Sequence, residues 1–278
     1  MSNIYVISEI GINHNGEVEL AKKLIKASAE SGADAVKFQK RTLDLVYTKE
    51  ELDNYRVSPW GETNRQQKEG LEFNIETYKE LEKYSNSLGL DFIVSCWDMN
   101  SLIEVEENLD IKYHKVASAL TTDRKFLEAL NVTGRPVILS TGMCTEEEVE
   151  AAINILTNVE YVLACTSTYP TKKEEVNLRN ILTMKEKYPN IKVGFSNHYN
   201  GHDACVGSVA LGAECVEFHI TDDRSSYGSD QSASIEKPSD LINAVRSMEV
   251  MLGDGVKKVY DSEVPIMNKL RKVSNVTG

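Results

Sequence analysis

The sequence predicts an α/β protein folded as a single TIM barrel, in which eight strands alternate with eight helices. Two observations support this prediction. Apolar, strand-like runs recur along the chain with amphipathic stretches between them, and a length of 278 residues fits one barrel of about 250 residues. A doubly wound sheet is the alternative, but such sheets seldom contain eight even strand–helix units.

The predicted elements follow one another in regular order. Strands are expected at 4–9, 35–39, 92–95, 113–117, 137–140, 161–165, 193–198 and 215–219. Helices are expected at 18–31, 75–88, 102–109, 124–130, 146–156, 178–187, 203–212 and 239–252. Asp123 and Thr145 are typical N-cap residues, and Gly32 and Gly212 are typical of helix ends.

One connection is much longer than the others. Residues 40–74 are polar and separate the second strand from the second helix of the barrel. Loops of this length in compact domains are usually functional lids or disordered segments. Tyr55, Pro59, Trp60 and Gly61 favour an ordered lid.

Composition excludes several classes of function. The formal net charge of −12 argues against nucleic acid and anionic membrane surfaces as partners. No apolar run reaches about 18 residues, so no membrane span is expected. The first residues are strand-like and lack the pattern of a secretion signal. Five scattered cysteines without a C-x-x-C spacing predict reduced thiols and a cytoplasmic protein.

Two histidines end the last two predicted strands. His198 and His219 are separated by a short alanine-rich helix, so their strands should be parallel. If the strands are adjacent, both imidazoles converge at the carboxyl end of the barrel, where such folds place their chemistry. Two neutral imidazoles suit a divalent metal, although a lone strand histidine is more often a hydrogen-bonded core residue.

Other strand ends carry residues suited to a phosphate. Lys37 and Gln39 share one face of the second strand, and Lys115 lies near the end of the fourth. Buried lysines are costly unless an anion meets them. Hydroxyls and backbone amides would complete the cradle, and they come from Ser118, Ser140, Thr141, Gly142 and Ser196. Considered alone, each lysine is more typical of a surface residue, and a Ser-Thr-Gly sequence is typical of a turn. Together they predict a phosphorylated substrate handled with Lewis-acid help.

Six motifs between residues 9 and 219 resemble the sialic acid synthase family, which includes N-acetylneuraminate, legionaminate and pseudaminate synthases, and the resemblance runs in order from about residue 4 to residue 275. They are Glu9-Ile10-Gly11-Ile12-Asn13-His14-Asn15-Gly16, Val36-Lys37-Phe38-Gln39, Leu139-Ser140-Thr141-Gly142-Met143, Thr168-Tyr169-Pro170, Gly194-Phe195-Ser196-Asn197-His198 and Glu217-Phe218-His219.

The resemblance implies a barrel that condenses phosphoenolpyruvate with an open-chain, N-acyl hexosamine-like aldose, giving a 2-keto-3-deoxy sugar acid and phosphate. Mn²⁺ or Mg²⁺ would be held by His198 and His219. The residues implied to hold phosphoenolpyruvate are Lys37, Lys115, Ser118, Ser140 and Ser196, with Gln39 beside them. Glu9, Asp230 and Tyr169 match the wall that contacts the sugar. A homodimer is also implied.

The chain departs from the family pattern mainly on the sugar side. Cys96 stands in place of a threonine near the phosphate, Leu120 in place of a glutamate that would contact the sugar, and Ser167 in place of the asparagine that usually follows the sixth strand. The run Tyr227-Gly228-Ser229-Asp230-Gln231 replaces Pro-Gly-Pro-Asp-His. These differences leave the identity of the aldose open.

The resemblance divides the chain into a barrel over residues 1–255 and a tail over 256–278. The tail resembles the lead-in to a C-terminal antifreeze-like domain, which is expected to be missing here. Two alternatives stay open. One is a synthase for a different or phosphorylated aldose, as in octulosonate-phosphate enzymes, with Arg41, Arg56 and Arg65 as candidate ligands of the second phosphate. The other is a non-catalytic sugar-binding barrel, which predicts a missing metal ligand.

Overall fold

Eight parallel strands close into a barrel in the computed structural model of the chain, which describes residues 4–228 and 230–272. Within these residues the strands are β1 (Tyr5–Gly11), β2 (Ala35–Lys40), β3 (Tyr55–Ser58), β4 (Gly61–Thr63), β5 (Asp91–Cys96), β6 (His114–Val116), β7 (Val137–Ser140), β8 (Val159–Cys165), β9 (Lys192–Asn197) and β10 (Cys215–His219). The order around the barrel is β1-β10-β9-β8-β7-β6-β5-β2, which confirms the predicted TIM barrel.

Helices connect the strands and form the outer layer. They are α1 (Val18–Ser31), α2 (Leu43–Val46), α3 (Lys49–Asp53), α4 (Asn64–Leu71), α5 (Ile75–Ser87), α6 (Met99–Asn108), α7 (Arg124–Thr133), α8 (Glu146–Ile155), α9 (Asn180–Lys187), α10 (Asp203–Ala210), α11 (Pro238–Leu252) and α12 (Val264–Leu270). Short 3₁₀ turns lie at Ser118–Leu120, Lys173–Glu175, Asp230–Ala233 and Asp261–Glu263. No helix within the described ranges is long and apolar enough to cross a membrane.

The predicted helix starts at Asp123 and Thr145 are confirmed by their caps. Asp123 accepts from the backbone N–H of Phe126, and Thr145 forms a capping box with Glu148. The third barrel helix begins earlier than the predicted residue 102. Asp98 accepts from the backbone N–H of Ser101, so this cap starts α6 at Met99.

The long connection after β2 is folded throughout. It contains α2, α3, the β3–β4 hairpin and α4, and two capping boxes order it, at Thr48–Glu51 and Thr63–Gln66. Trp60 at the hairpin turn packs edge-on against Tyr227, with ring centroids 5.5 Å apart. The expectation of an ordered segment over 40–74 is therefore confirmed, and the hairpin touches the loop that follows β10.

The interior of the barrel is apolar at its amino end and polar at its carboxyl end. Inward-facing side chains of the amino end form one buried cluster of Ile7, Ala35, Ile93, Tyr113, Ile138, Tyr161, Leu163 and Cys215. Two residues further along each strand, the same face carries Glu9, Lys37, Ser95, Lys115, Ser140, Cys165 and Glu217. The strand period thus places a polar layer directly above an apolar floor.

The C-terminal part of the chain lies outside the barrel layers. Residues 256–272 follow α11 and contain α12, whose apolar side chains Ile266 and Leu270 are 55% and 69% exposed. Residues 273–278 of the predicted tail lie outside the described residues.

Candidate active site

The polar layer of the barrel contains two buried lysines and two buried glutamates. Lys37 Nζ lies 2.7 Å from Glu9 Oε2 and 3.7 Å from Glu217 Oε1. Lys115 Nζ lies 3.9 Å from Glu217 Oε2, and the Ser196 hydroxyl donates to Glu217 Oε1 at 3.1 Å. The sequence argument that the lysines need an external anion is therefore incomplete, because Glu9 and Glu217 already balance their charge.

The two lysines differ in how firmly they hold their protons. Burial favours the neutral form of Lys37, but the adjacent Glu217 and Glu9 outweigh it and raise the pKa of Lys37. Burial lowers the pKa of Lys115, and Glu217 only partly offsets this, while the charge of Lys37 adds to it. Lys37 is therefore a fixed cation, whereas Lys115 gains most from an additional anion in the cavity.

Hydroxyl groups surround Lys115 on the β6–β7 side. Lys115 Nζ donates to Ser140 Oγ at 2.5 Å, and the backbone N–H of Gly142 donates to Ser118 Oγ at 3.0 Å. A Cβ on Gly142 would lie 2.1 Å from Ser167 Oγ, so only glycine allows these groups to come so close. The arrangement is a compact set of donors of the kind that binds phosphate oxygens.

His198 and His219 meet as predicted, because β9 and β10 are adjacent and parallel. Their ring centroids are 5.3 Å apart, and the Tyr169 ring packs 4.2 Å from that of His198. His198 Nδ1 lies 2.8 Å from the carbonyl of Thr166, so the N–H on Nδ1 donates to it, and in the neutral ring Nε2 is the nitrogen that could bind a metal. Burial lowers the pKa of His198, but Cys165, the Thr166 carbonyl and the charge of Glu217 outweigh burial and raise it.

The surroundings of His219 also fit a metal ligand. His219 Nδ1 is buried without a hydrogen bond to any of the described residues and lies 3.7 Å from Asp230 Oδ2. Burial lowers the pKa of His219, which keeps the imidazole neutral and able to ligate. In the part of the chain that the structure describes, no group of three or more histidine, cysteine, aspartate or glutamate side chains is placed to hold a metal. A metal here would therefore take its other ligands from substrate and water.

The β1–β2–β5 side of the layer is linked by a chain of polar contacts. Gln39 Nε2 donates to Glu9 Oε1 at 2.6 Å, and Arg41 Nη2 donates to Gln39 Oε1. The Arg41 guanidinium carbon stacks 4.2 Å from the centre of the Trp97 ring. Glu9 is thus held by Lys37 on one side and by Gln39 on the other.

These groups line a cavity of about 170 Å³ at the carboxyl end of the barrel. The structure brings most of the predicted site residues together in its wall: Glu9, Lys37, Gln39, Lys115, Ser118, Ser140, Ser167, Tyr169, Ser196, His198 and His219. Asp230 lies at its edge, next to His219. A larger cavity of about 450 Å³ lies beside it between α8 and α9, but the paired charges and both histidines belong to the smaller one.

The structure places Cys96 outside the cavity, contrary to the position near the phosphate that the sequence predicted. It lies opposite Lys40 in the β2–β5 register and packs in the apolar layer between strands and helices, where its Sγ contacts the carbonyl of Ser101 at 3.5 Å. The strand period turns the preceding residue, Ser95, into the cavity instead. Ser95 and not Cys96 is therefore the cavity residue of this strand.

Glu217 stands in one of the motifs noted in the sequence, but no role in the site was predicted for it. A signal existed, since Glu217 precedes His219 by two residues and must share its face of the strand. Its role as the counter-charge between two lysines depends on the positions of β2 and β6, which the local pattern does not reveal.

Comparison with known proteins identifies the family of this chain. The model of the NeuB family matches residues 24–257, which is most of the chain. The chain belongs to the NeuB family. An N-acetylneuraminate-9-phosphate synthase of Mus musculus is 36% identical to it over 275 residues, which span 96% of this chain and 76% of that protein.

Other NeuB-family relatives give a consistent picture. An N,N'-diacetyllegionaminic acid synthase of Legionella pneumophila is 36% identical over 96% of this chain and 78% of its own length. The crystal structure of an N-acetylneuraminic acid synthetase from Leptospira borgpetersenii in complex with citrate aligns with a TM-score of 0.82 and 29% identity. That alignment covers 98% of this chain and 93% of the other.

Proposed function

We propose that this NeuB-family barrel is a transferase that condenses phosphoenolpyruvate with an open-chain aldose. The products are a 2-keto-3-deoxy sugar acid, of the sialic acid type, and inorganic phosphate. The observation that carries the proposal is the meeting, in one cavity, of the donor set around Lys115 and the imidazole pair His198–His219. The relatives include an N-acetylneuraminate-9-phosphate synthase and an N,N'-diacetyllegionaminic acid synthase, which supports a synthase of acidic nine-carbon sugars.

Phosphoenolpyruvate would lie on the β6–β9 side of the cavity. Its phosphate oxygens would accept hydrogen bonds from Lys115 and from the hydroxyls of Ser118, Ser140 and Ser196. The low pKa of Lys115 favours this placement, because an added anion stabilises the charged form of that lysine. Gly142 provides the close approach that the small donor set requires.

The aldose would lie against the opposite wall, beside Glu9, Gln39, Tyr169 and Asp230. A bond forms between C3 of phosphoenolpyruvate and the aldehyde carbon, water adds at C2, and phosphate leaves as the C2–O bond breaks. Lys37 and Gln39 fix the carboxylate of Glu9, which can hold a sugar hydroxyl or the proton it releases. Because these side chains are already held in place, the aldehyde can be oriented towards C3 without a further loss of side-chain entropy.

A divalent metal, Mn²⁺ or Mg²⁺, would be held by His198 and His219. When bound, it supplies Lewis-acid polarisation of the aldehyde oxygen. The neutral state of His219 and the fixed Nδ1–H of His198 support this part of the proposal. A cytoplasmic location is supported by the five cysteines, which form no disulfide. A homodimer is included on the strength of the family resemblance alone.

The decisive experiment is phosphate release from phosphoenolpyruvate with Mn²⁺ against a panel of aldoses. Release that requires both the aldose and the metal is the expected result. His198→Ala and His219→Ala should abolish turnover and weaken Mn²⁺ binding measured by calorimetry, with an unchanged circular dichroism spectrum. His202→Ala, at a partly exposed histidine outside the cavity, is the matched control. Inertness with every aldose would replace the synthase by a sugar-binding barrel.

A further inference from the structure

The loop that follows β10 carries Asp230 and is attached to the first strand segment by a buried amide. Asn13 lies two residues after β1 and is only 1% exposed, although asparagine is usually a surface residue. Its Nδ2 donates to the carbonyl of Ile220 and to the hydroxyl of Ser234, both at 2.8 Å. Asn13 therefore joins the residue that follows His219 to the residue at which the loop returns to the barrel.

The Ser234 hydroxyl extends this connection to Asp230. Ser234 is fully buried, and its hydroxyl accepts from Asn13 while it donates to the carbonyl of Asp230 at 2.7 Å. The next residue, Gln231, is also buried, and its Oε1 accepts from the Thr221 hydroxyl. The backbone at Asp230 is thus held by buried side-chain hydrogen bonds on both sides.

Backbone contacts fix the two ends of the same loop. The N–H of Ile220 donates to the carbonyl of Glu9 at 2.9 Å, and the N–H of Ile235 donates to the carbonyl of His219 at 2.8 Å. Residues 220–235 therefore leave and rejoin the barrel at one place, and the side-chain contacts described above determine where the middle of the loop lies.

The position of the Asp230 carboxylate matters for the metal side of the cavity. Its Oδ2 lies 3.7 Å from His219 Nδ1. At Gly11, where φ is +56°, an added Cβ would lie 3.6 Å from Asp230 Oδ2 and 3.1 Å from Glu9 Oε1. A carboxylate beside the second nitrogen of a metal-binding histidine orients that histidine, so a displacement of Asp230 would change the direction of His219.

Stability alone does not account for a buried amide at residue 13. Asn13 Oδ1 is buried and accepts no hydrogen bond from the residues that the structure describes. A buried acceptor without a partner costs stability, and an apolar side chain of similar size would avoid this cost. The two bonds donated by Nδ2 therefore serve the geometry of the loop more than the stability of the fold.

We propose that Asn13 is a positioning residue that, through Ser234, sets the Asp230 carboxylate beside His219. This inference rests on the proposed function, because it assigns Asn13 to the half of that site that holds the metal and the aldose. Asn13 is not among the described residues of the cavity wall, so it acts through Asp230 and does not touch the substrate.

The test uses Asn13→Leu, which keeps the size of the side chain and removes both donors. We expect Mn²⁺, followed by calorimetry, to bind about tenfold more weakly, as for the loss of other groups that orient metal ligands. KM for the best aldose of the panel should rise by a similar factor. KM for phosphoenolpyruvate should change little, since its donors lie around Lys115 on the other side of the cavity. In crystals of the variant, Asp230 Oδ2 should lie farther than 3.7 Å from His219 Nδ1.

A second variant tests the route through Ser234. Ser234→Ala should reproduce the weaker Mn²⁺ binding, and the double variant Asn13→Leu/Ser234→Ala should be no worse than Asn13→Leu, because the two side chains act in series. Ser208→Ala is the matched control. Ser208 is fully buried and donates to the Cys205 carbonyl at 2.7 Å within α10, so this change should alter neither Mn²⁺ binding nor KM.

Other outcomes separate this inference from the proposed function. Equal increases in KM for phosphoenolpyruvate and for the aldose would show a merely structural role and refute the inference, as would additive losses in the double variant. If Asn13→Leu does not fold, Ser234→Ala decides, and unchanged Mn²⁺ binding in it refutes the inference while the synthase stands. An unaltered enzyme that neither binds Mn²⁺ nor turns over any aldose would refute both.

Discussion

Lys37 and Glu9 lie opposite each other on the adjacent strands β2 and β1 and form a buried ion pair of 2.7 Å. Glu217 then lies 3.7 Å from the same lysine, so one cation holds two carboxylates in place. Buried pairs of this kind contribute little net stability but are costly to break, because the remaining charge has no partner. The ion pairs therefore hold the charged side chains of the polar layer in fixed positions.

The first prediction concerns Glu217. Glu217→Gln keeps the shape of the side chain but leaves Lys115 without its nearest carboxylate. Breaking a buried ion pair costs about 3–5 kcal/mol, so we expect a loss of this order in the free energy of unfolding measured in urea. Turnover should also fall, because Ser196 loses its charged acceptor.

The control for this variant is Glu160→Gln, which breaks the exposed pair between Glu160 and Lys192. Surface pairs contribute about 0–1 kcal/mol, so Glu160→Gln should leave both unfolding and turnover almost unchanged. Similar losses in the two variants would show that Glu217 has no special part in the layer.

The second prediction concerns Gly142. An added Cβ would lie 2.1 Å from Ser167 Oγ and 2.9 Å from Ser118 Oγ, so Gly142→Ala must push the hydroxyls apart. Overpacking costs about 1–3 kcal/mol, and KM for phosphoenolpyruvate should rise. The double variant Gly142→Ala/Ser167→Ala removes the closest clash and should recover most of the stability. Failure of the second change to help would locate the strain elsewhere.

The third prediction uses the alternation of side chains along β5, which turns Ser95 towards the cavity and Cys96 away from it. Cys96→Ala should leave the kinetic constants unchanged, because its thiol lies among helix-facing apolar side chains and donates a hydrogen bond to the Ser101 carbonyl. Ser95→Ala removes a hydrogen bond from the Ser95 hydroxyl to the Lys115 carbonyl, at 3.1 Å, and should lower kcat/KM for phosphoenolpyruvate about tenfold. If Cys96→Ala lowered kcat/KM and Ser95→Ala did not, Cys96 would be the cavity residue.

The fourth prediction is a loss of stability in mild acid. Burial lowers the pKa of His14 to about 3, helped by the charge of Arg41 and opposed by a hydrogen bond to the Gly11 backbone. Burial likewise lowers the pKa of His114 to about 4, with Arg135 adding to the effect and Glu106 opposing it. The unfolded chain binds more protons than the folded one below the usual value of 6.5, so stability falls as the pH drops through this window.

Each histidine adds a slope of at most about 1.4 kcal/mol per pH unit. We therefore expect the free energy of unfolding to fall steeply between pH 6.5 and about 4, and the double variant His14→Gln/His114→Gln to flatten this fall. Urea titrations at several pH values measure the slopes. His202→Gln is the control, and a flattening by this variant as well would assign the dependence to histidines in general.

Much of the architecture could be predicted because each barrel strand buries both faces and reads as an apolar run. Val137–Ser140 and Cys215–His219 have the predicted bounds. The elements of residues 40–74 could not be predicted, because their stability depends on caps such as Thr48 and Thr63 and on contacts with distant loops. Local hydrophobic periodicity carries no information about those contacts.

The candidate site was predictable to the extent that the strand period determines it. The alternation of side chains along a strand predicted that Lys37 and Gln39 share a face. The strand–helix–strand crossover predicted that the strand of His219 is parallel to the strand before it. Cys96 was misplaced because the resemblance overrode the period, which turns Ser95 inward. The contact between Arg41 and Trp97 joins residues of two strands at their ends, and no pattern along the chain encodes it.

The mouth of the barrel is divided between two sources of side chains. The hydroxyls around Lys115 come from β6 to β9 and their short turns, whereas Arg41, which contacts Gln39 and Trp97, belongs to one insertion that leaves at β2 and returns at α5. An exchange of that single insertion can therefore alter which sugar is accepted without touching the half that handles the enol phosphate. Replacing residues 40–74 alone is therefore a route to a different sugar substrate, both in evolution and in protein engineering.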